Sequence, residues 1–407
     1  MTPANAGISG RMVLLLAAAI FINYIDRGSL ALASPLLKDE LQLSNSEMGI
    51  LFAAFFWSYA PLQPLAGWIA QRFDVRHVLA AGLALWALAT LLTGFATSFV
   101  MIFCLRLLLG IGESVSYPCN AKMLAQRATV QQRGRANGFV AVGQALGPTC
   151  GTLLGGFIMA QYGWRAMFIF FGALSLLWLI PWRMATRDSA ATGSLPGMQP
   201  VSYRALLRER ALWGTGIGHF CGNYAYYFML TWLPLLLVKT YGFSIQKMTV
   251  IGAGVYAVHA VVAAAAGWLG DRRIRAGADP HSVWKPMIVT GMCGAAATMA
   301  LCTVTGPTLT IVMLFVTGVF FGLQSPSLGA ISQTLGGPRA AGQWMGVQNL
   351  LANMAGVLGP VITGVVIDRT GSFYWAFVIA AVVTLAGAFA FGMIIRRVEP
   401  VAWPVRS

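Results

Sequence analysis

The chain has 407 residues, of which 57% are hydrophobic and 10% are charged. A soluble protein carries about a quarter charged residues, so this composition excludes a water-soluble domain and indicates a chain embedded in a bilayer. The net charge of +15 does not indicate a nucleic-acid partner, because Lys and Arg lie in short gaps between apolar runs and form no basic domain.

Twelve apolar segments follow one another along the chain. Each has about 20 to 27 residues, which is long enough to cross a bilayer as a tilted helix. We therefore predict an all-α membrane protein with twelve transmembrane helices. The predicted spans are residues 12–36, 47–70, 78–97, 99–125, 135–160, 165–186, 211–238, 248–270, 284–305, 308–334, 340–366 and 373–397.

The longest connection lies at the midpoint and is rich in Ser, Thr, Gly and Pro. It is typical of a linker between two domains. We predict an N-terminal six-helix bundle over residues 1–186, a cytoplasmic linker over 187–210 and a C-terminal six-helix bundle over 211–407.

The loop charges predict the orientation of the chain in the membrane. With the N-terminus inside, 20 Lys and Arg residues fall on the inner side and 5 on the outer side, while Arg27 and Arg106 lie within spans. Positive residues favour the cytoplasmic side, so we expect both termini in the cytoplasm.

The two halves of the sequence repeat each other. Duplicated halves of a transporter place the binding site at their interface, near the membrane midplane. The matching segments are 67–72 (GWIAQR) and 267–272 (GWLGDR), 143–148 (GQALGP) and 356–360 (GVLGP), and the aromatic clusters 162–168 and 371–377.

These segments resemble the major facilitator superfamily. The Gly-x-x-x-Asp-Arg pattern after spans 2 and 8 is similar to the signature loop of that superfamily, and Arg106-x-x-x-Gly110 in span 4 fits it too. The first loop has Gln71 where the family pattern has Asp, whereas the second keeps Asp271. The resemblance implies two pseudo-symmetric bundles and a cytoplasmic latch in the second half only.

Four ionisable residues fall inside predicted spans: Asp26, Arg27, Arg106 and Glu113. A charge at the bilayer centre costs roughly 2.5–3.5 kcal/mol even on lenient scales, so we expect these groups to face one another or a hydrated cavity. A structural ion-pair network would explain them as well, and Arg106 could simply neutralise one of the acids.

The chemistry of these groups suits coupled transport. Low-dielectric surroundings favour the neutral form of a carboxyl, so such a group can bind and release protons. An Arg offers two parallel donors to a carboxylate. An anionic substrate that competes for the Arg would release the acid to take up a proton.

Asn23-Tyr-Ile-Asp26-Arg27, Gly110-Ile-Gly-Glu113 and Asn223-Tyr-Ala-Tyr-Tyr227 resemble the anion:cation symporter family, which includes bacterial galactonate, glucarate and hexuronate transporters and sialin. The resemblance implies that Asp26 and Glu113 carry protons, that Arg27 binds the substrate carboxylate and that Arg106 modulates the acids. It also implies that Tyr24, Tyr59 and Gln144 line the substrate pocket.

The second half offers polar residues with weaker signals. Tyr227 and Asn349 are our substrate-binding candidates there, and His219 is either a second titrating group or a packed histidine. Nothing in the sequence has the spacing of a metal site, a disulfide framework or an enzyme active site, so we predict no cofactor other than the coupling proton.

We therefore predict a monomeric transporter of the bacterial inner membrane, with a small carboxylate as its substrate. The predicted function is proton-coupled import of a hexonate, hexarate or hexuronate by alternating access. The alternatives are an organic-anion exchanger, a carrier of simple mono- or dicarboxylates, and a membrane sensor that kept the fold.

Overall fold

The computed structural model describes residues 8–127, 130–187 and 201–403, and none of these residues lies in a β-strand. Two π-helical turns, Leu236–Thr240 and Ala390–Ile394, extend the helices that precede them. In chain order the helices are α1 (Gly10–Glu40), α2 (Asn45–Arg72), α3 (Val75–Thr93), α4 (Phe99–Ser114), α5 (Ser116–Arg127), α6 (Val130–Leu177), α7 (Leu179–Thr186), α8 (Tyr203–Arg208), α9 (Arg210–Leu235), α10 (Ile245–Arg275), α11 (Pro280–Leu301), α12 (Pro307–Thr370) and α13 (Tyr374–Phe389).

These helices correspond to the twelve predicted spans once two long helices are divided. α6 turns at Gly163, where φ is 80°, and α12 turns at Gly337, where φ is 58°. Glycine adopts a positive φ at little cost, so a single residue replaces a loop between two spans. α4 and α5 form one span interrupted at Val115, α7 continues the second part of α6, and α8 lies in the predicted linker.

Eight helical stretches of the described residues are long and apolar enough to cross a membrane. One of them, Gly138–Thr186, holds two predicted spans. α2, α9 and α11 fall outside this set because polar residues and prolines interrupt their apolar sequences. A span that keeps polar side chains at membrane depth must bury them in the protein or expose them to a hydrated cavity.

The structure repeats the internal symmetry of the sequence. Gly163 and Gly371 precede the last span of each half, and both are left-handed, with φ of 80° and 66°. At the ends of α2 and α10, the Arg72 guanidinium lies 5.5 Å from the Trp68 ring and the Arg272 guanidinium lies 5.4 Å from the Trp268 ring.

The chain divides into two compact units by its contacts. Unit 1 comprises Met1–Pro196 with Leu237–Ala253, and unit 2 comprises Gly197–Leu236 with Gly254–Ser407. Within unit 1, α1 packs along α6 and α2 packs along α4. Unit 1 also holds the ion pair of Lys239 with Asp39. Within unit 2, α9 and α11 pack along α12. The domain boundaries at 186 and 211 stay a prediction, and linker residues 188–200 lie outside the described part.

The connection between α2 and α3 is held by Asp74. Its carboxylate accepts the Arg76 backbone N–H at 3.0 Å and the Arg76 Nε at 2.9 Å, so it caps α3 and pairs with the arginine. The Arg76 Nη1 also donates to the Thr186 carbonyl at 3.1 Å. The hydrogen bonds from Arg76 lower the pKa of Asp74 below its ordinary value. The Gln71 side chain lies outside the described residues, so the consequence of that departure from the family pattern stays a prediction.

Replacing this carboxylate with the isosteric amide in Asp74→Asn keeps a cap but removes the charge. Because the folded pKa of Asp74 is lowered, its stabilisation is present above the ordinary Asp pKa and is lost as the pH falls through the folded value. We expect the variant to unfold about 1–3 °C lower than the parent at neutral pH, with the difference shrinking as the pH falls below the ordinary Asp pKa of about 3.9. Thermal unfolding in detergent across this range measures the effect.

Asp279→Asn is the matched control, because Asp279 caps α11 but forms no ion pair with a described residue. Its effect should change little over the same pH range. An Asp74→Asn difference that persists unchanged at low pH would contradict the assignment of the stabilisation to the charged pair.

Candidate substrate and proton site

An ion pair between Arg27 of α1 and Glu113 of α4 lies in the interior of unit 1. The Arg27 Nη2 donates to Glu113 Oε2 at 2.9 Å, and Nε donates to the same oxygen at 3.2 Å. The Arg27 side chain is 7% exposed and the Glu113 side chain is fully buried. Two of the four intramembrane charges are therefore direct partners across 86 residues of sequence.

Three aromatic rings surround the Arg27 guanidinium. Its Cζ lies 5.0 Å from the Tyr24 ring centre, 4.7 Å from that of Phe55 and 4.8 Å from that of Tyr59. Each such contact stabilises a cation by about 0.5–2 kcal/mol, most strongly where water is excluded. The Asn23 Oδ1 accepts a further hydrogen bond from Nη2 at 3.3 Å. The three rings and the Asn23 amide thus hold the arginine in place, and the Glu113 carboxylate is its ion-pair partner.

Asp26, the neighbour of Arg27 in sequence, has different surroundings. Its side chain is fully buried, and its Oδ2 accepts a hydrogen bond from the Ser175 hydroxyl of α6 at 3.0 Å. It forms no ion pair with a described residue, and its Oδ1 has no hydrogen-bond partner among them. The Trp86 indole nitrogen is also buried, and it meets the geometric criteria for a hydrogen bond with none of the described residues. An unpaired buried carboxylate is costly, so this environment favours the neutral, protonated side chain.

Arg106 is buried, at 4% exposure, but it does not form an ion pair with either acid. A charge in a low-dielectric interior acts over a longer distance than a charge in water, so a buried Arg106 can influence an acid of the same unit without touching it. Arg27, rather than Arg106, is therefore the direct partner of an intramembrane acid. The alternative in which Arg106 neutralises one acid by contact does not describe this structure.

Two glycines let the helices approach closely enough to bring these residues together. In α4, a Cβ at Gly110 would collide with the Phe55 carbonyl and the Ser58 hydroxyl of α2. In α6, a Cβ at Gly147 would lie 2.7 Å from the Tyr24 Cβ of α1. Gly110 is one turn before Glu113, so close contact between α4 and α2 positions the acid beside the rings that surround Arg27.

The other predicted substrate residues are distributed over both units. Tyr24 accepts a hydrogen bond from the Tyr117 hydroxyl at 3.1 Å, and Gln144 of α6 is exposed in unit 1. In unit 2, the Tyr227 hydroxyl donates to Asn353 Oδ1 at 3.1 Å, and Asn349 is exposed. The structure thus groups Tyr24 and Tyr59 with Arg27 in unit 1, whereas Tyr227 and Asn349 belong to unit 2.

Three neighbours of the charged residues were missed by the sequence analysis. Phe55 lies one helical turn before Tyr59 and could have been found from that spacing. Tyr117 follows Glu113 by four residues, but the interruption at Val115 obscures the shared face. Ser175 is the one hydroxyl residue between Gly163 and Leu177, and such residues usually bond to their own backbone. The sequence carries no signal for its contact with Asp26.

No group of three or more His, Cys, Asp or Glu side chains among the described residues is arranged to hold a metal ion. The chemistry of the site is that of acids, arginines and phenols. Such groups can bind an anion, exchange partners and move protons.

The family model of the Major Facilitator Superfamily matches residues 16–278 and 278–407. The chain belongs to this superfamily. It is therefore a multi-pass membrane transporter rather than an enzyme, as predicted. The twelve-helix architecture and the repeated signature segments are those of a superfamily member.

Curated relatives match this chain over nearly its whole length. The probable sulfoacetate transporter of Cupriavidus necator is 30% identical over 91% of this chain and 90% of its own. The probable L-galactonate transporter of Escherichia coli is 29% identical over 95% of this chain and 89% of its own. Among solved structures, a bacterial homologue of the human lysosomal transporter Spinster, inward-facing and occupied, matches with a TM-score of 0.80 at 18% identity, over 98% of both chains.

The close approach of α4 and α2 gives a test of how the site is built. We expect Gly110→Ala to lower the unfolding temperature and the yield of monodisperse protein, because the added Cβ meets the α2 backbone in a closely packed interior. Fluorescence-detected gel filtration after a heating series measures both effects.

Gly138→Ala in α6 is the control, since a Cβ at Gly138 meets nothing within 4 Å. Alanine is the better helix former by about 1 kcal/mol, so this variant should match or exceed the parent. Equal tolerance of the two substitutions would show that the packing at Gly110 does not position α4.

Proposed function

We propose that this transporter is a proton-coupled symporter that imports an organic anion, most specifically a sugar acid such as a hexonate, hexarate or hexuronate. The observation that carries the proposal is the buried Arg27–Glu113 pair beside an uncompensated Asp26. This arrangement contains an anion-binding cation and two proton acceptors in one interior, with no cofactor required.

The substrate carboxylate would compete with Glu113 for Arg27. Removing one member of a buried ion pair costs about 3–5 kcal/mol, because the other charge is left without a partner. A substrate carboxylate that takes the place of Glu113 becomes the new partner of the arginine, so the arginine charge is not left unpaired. The fork of the guanidinium and the three rings around it keep the arginine oriented during the exchange.

The released Glu113 would then take up a proton. A charged carboxylate in a fully buried position without its arginine is unfavourable, whereas the neutral acid is tolerated. Anion binding therefore promotes protonation, and by linkage protonation promotes anion binding to the same degree. Symport follows from this reciprocity, since the loaded site has less net charge than the site with either ligand alone.

Asp26 and Arg106 would have supporting parts in the cycle. Asp26 offers a second proton site, held by Ser175 at 3.0 Å and separate from the anion. Arg106 is buried and forms no ion pair with either acid, and its positive charge would stabilise their ionised forms when the protons leave. Alternating access of two six-helix halves then carries the bound anion across.

The substrate class is supported by the relatives and by the predicted pocket residues. One relative is named as a probable L-galactonate transporter, and L-galactonate is a hexonate. Tyr24, Tyr59 and Gln144 of unit 1 offer hydroxyl and amide groups to a polyhydroxylated anion, and Tyr227 and Asn349 of unit 2 stay predicted substrate residues. We place the transporter in a bacterial inner membrane, as a monomer with both termini in the cytoplasm. Its partners are the carboxylate substrate, the coupling proton and the lipid bilayer.

A second candidate function is transport of a small anion without hydroxyl groups, by symport or exchange. The observation in its favour is the 30% identity to the probable sulfoacetate transporter. Uptake into liposomes that requires a counter-anion and ignores a pH gradient would identify an exchanger.

Proton-driven uptake in proteoliposomes tests the proposal directly, across a panel of galactonate, glucarate, glucuronate and sulfoacetate. Asp26→Asn and Glu113→Gln should lose accumulation driven by a pH gradient by at least about tenfold, because the amide cannot exchange a proton, while anion exchange can persist. Arg27→Ala should lose binding of the anion altogether, because the anion no longer has the cation that it would pair with in place of Glu113.

Glu399→Gln is the control acid, because Glu399 is an exposed residue near the C-terminus with a long contact of 4.0 Å to Arg397. It should transport as the parent does. Full concentrative uptake by both intramembrane acid variants would rule out the proton assignment, and tight anion binding by Arg27→Ala would rule out the carboxylate site.

A further inference from the structure

The core-facing side of α3 in unit 1 changes from apolar to polar along its length. Its central residues follow one another at spacings of three and four, so they share one face of the helix, and each is at most 3% exposed. In chain order they are Leu79, Leu83, Trp86, Thr90 and Thr93. We call Trp86, Thr90 and Thr93 the α3 polar row. It occupies the half of the helix that ends at Thr93.

The Trp86 indole differs from the other buried indoles of unit 1. Three of them donate their N–H to an oxygen of the same unit, at 2.7–3.2 Å: Trp164, Trp178 and Trp182. The Trp86 ring is fully buried, yet its Nε1 forms no hydrogen bond of ordinary geometry with the described residues. A buried indole usually finds a partner for its N–H, so this donor is available to a small polar molecule.

The Thr90 hydroxyl differs in the same way from the other buried threonines of unit 1. A threonine inside a helix commonly bonds to the carbonyl four residues earlier, and three buried threonines of this unit do so: Thr93, Thr186 and Thr249. Thr90 is 3% exposed, and its Oγ1 has no hydrogen-bond partner among the described residues. Its hydroxyl is therefore not used to satisfy its own helix.

The middle of α3 lies beside the turn of α6 that holds Asp26. A Cβ at Gly172 would lie 2.4 Å from the Leu91 nitrogen, next to Thr90. Ser175, one turn after Gly172, donates to Asp26 Oδ2 at 3.0 Å. The α3 polar row thus begins at the depth of this acid and leads away from it along one helix face.

Three buried polar atoms of this region are left without protein partners: Asp26 Oδ1, Trp86 Nε1 and Thr90 Oγ1. They are an acceptor, a donor and a hydroxyl that can do both. Buried polar groups are nearly always hydrogen-bonded, and ordered water serves those that the protein leaves over. This set of atoms therefore suits bound water, which can accept from the indole and donate to the carboxylate.

The other half of the same face has no such groups. Leu79 and Leu83 are fully buried. Beside the start of α3, the Trp178 and Trp182 rings are stacked 4.8 Å apart, and their N–H groups are taken by backbone carbonyls, that of Trp182 by Arg76. Apolar packing offers no partner to a proton or to water, so a polar route can leave this region only toward the end of α3.

Thr93 extends the α3 polar row to the end of the helix. Its hydroxyl donates to the Ala89 carbonyl at 2.7 Å, so its oxygen keeps a lone pair that can accept from water. Thr97 and Ser98 follow within the next turn and are exposed.

We propose that the α3 polar row is a proton path that connects Asp26 with the outer surface. The inference rests on the proposed function and on its orientation, in which α3 ends on the outer side. A proton from the outer solution protonates a water held by Thr90, and this water passes a proton to Asp26 Oδ1. The carboxylate becomes the neutral acid and the water returns to its starting form. The proton reaches Asp26 without passing the Arg27–Glu113 pair.

Uptake into right-side-out membrane vesicles that contain the full-length transporter tests the path. The probe is galactonate, glucarate, glucuronate or sulfoacetate, whichever the parent accumulates fastest. Thr90→Val keeps the branched shape of the side chain and removes the hydroxyl. We expect the initial rate of uptake driven by an acidic outer medium to fall about tenfold, less than the factor of about 100 for a group that itself transfers the proton, because neighbouring waters remain. The defect should shrink as the outer medium is made more acidic.

Two further measurements separate the path from packing. Exchange of the anion at equal pH on both sides needs no proton to enter Asp26, so Thr90→Val should change its rate less than about twofold. Thr90→Ser restores the hydroxyl and should recover most of the proton-driven rate. Thr384→Val is the matched control, because the buried Thr384 hydroxyl is bonded to the Ala380 carbonyl of its own helix. It should leave both rates unchanged.

A parental rate of proton-driven uptake in Thr90→Val would overturn the inference. So would an equal loss in Thr90→Ser, or a loss of exchange as large as the loss of proton-driven uptake, because either would assign Thr90 to packing alone. Parental uptake that ignores the pH gradient for all four anions would refute the proposed function itself, and the path would fall with it.

Discussion

The buried contact between Arg27 and Glu113 is the interaction on which unit 1 depends. Two opposite charges in a low-dielectric interior attract strongly but are expensive to bury, so the pair gives little net stability compared with apolar groups of the same volume. A contribution to folding stability therefore does not by itself explain why this ion pair is present. Under the proposed function, an interior that is costly for any unpaired charge would favour an anion beside the arginine and a proton on the freed acid.

The architecture around the pair follows from this constraint. Gly110 and Gly147 bring α4 and α1 close to their neighbours, and the aromatic rings occupy the space beside the guanidinium that water would otherwise fill. Asp26 is the sequence neighbour of Arg27 but contacts Ser175 of α6 rather than α4, so under the proposed function its proton would not be exchanged against the same cation. Two acids with separate surroundings can titrate over different ranges, and a cycle needs such a separation to load and unload in order.

The sequence predicted the spans and the residues of the site better than it predicted their pairing. Twelve spans could be located because hydrocarbon demands long apolar segments, and the four buried charges stood out against that background. Helical spacing showed which residues share a face, but it did not show how far each helix is rotated toward its neighbours. For that reason only the structure showed that Glu113 pairs with Arg27 rather than with Arg106. The same holds for the Phe55 ring beside Arg27 and for the contact between Ser175 and Asp26. In unit 2 the polar residues of α9 and α12 were recognised one by one, whereas the hydrogen bonds between them depend on the register of the two helices.

The left-handed glycines at 163 and 371 occupy the same place in each half. Any L-amino acid there would strain the backbone by about 1–2 kcal/mol, so these two positions resist change while most side chains facing lipid can drift among apolar types at little cost. In a chain that arose by duplication, divergence erases similarity first where only hydrophobicity is required and last where backbone geometry is fixed. The aromatic clusters 162–168 and 371–377, which match between the halves, therefore each contain a turn whose backbone geometry requires glycine.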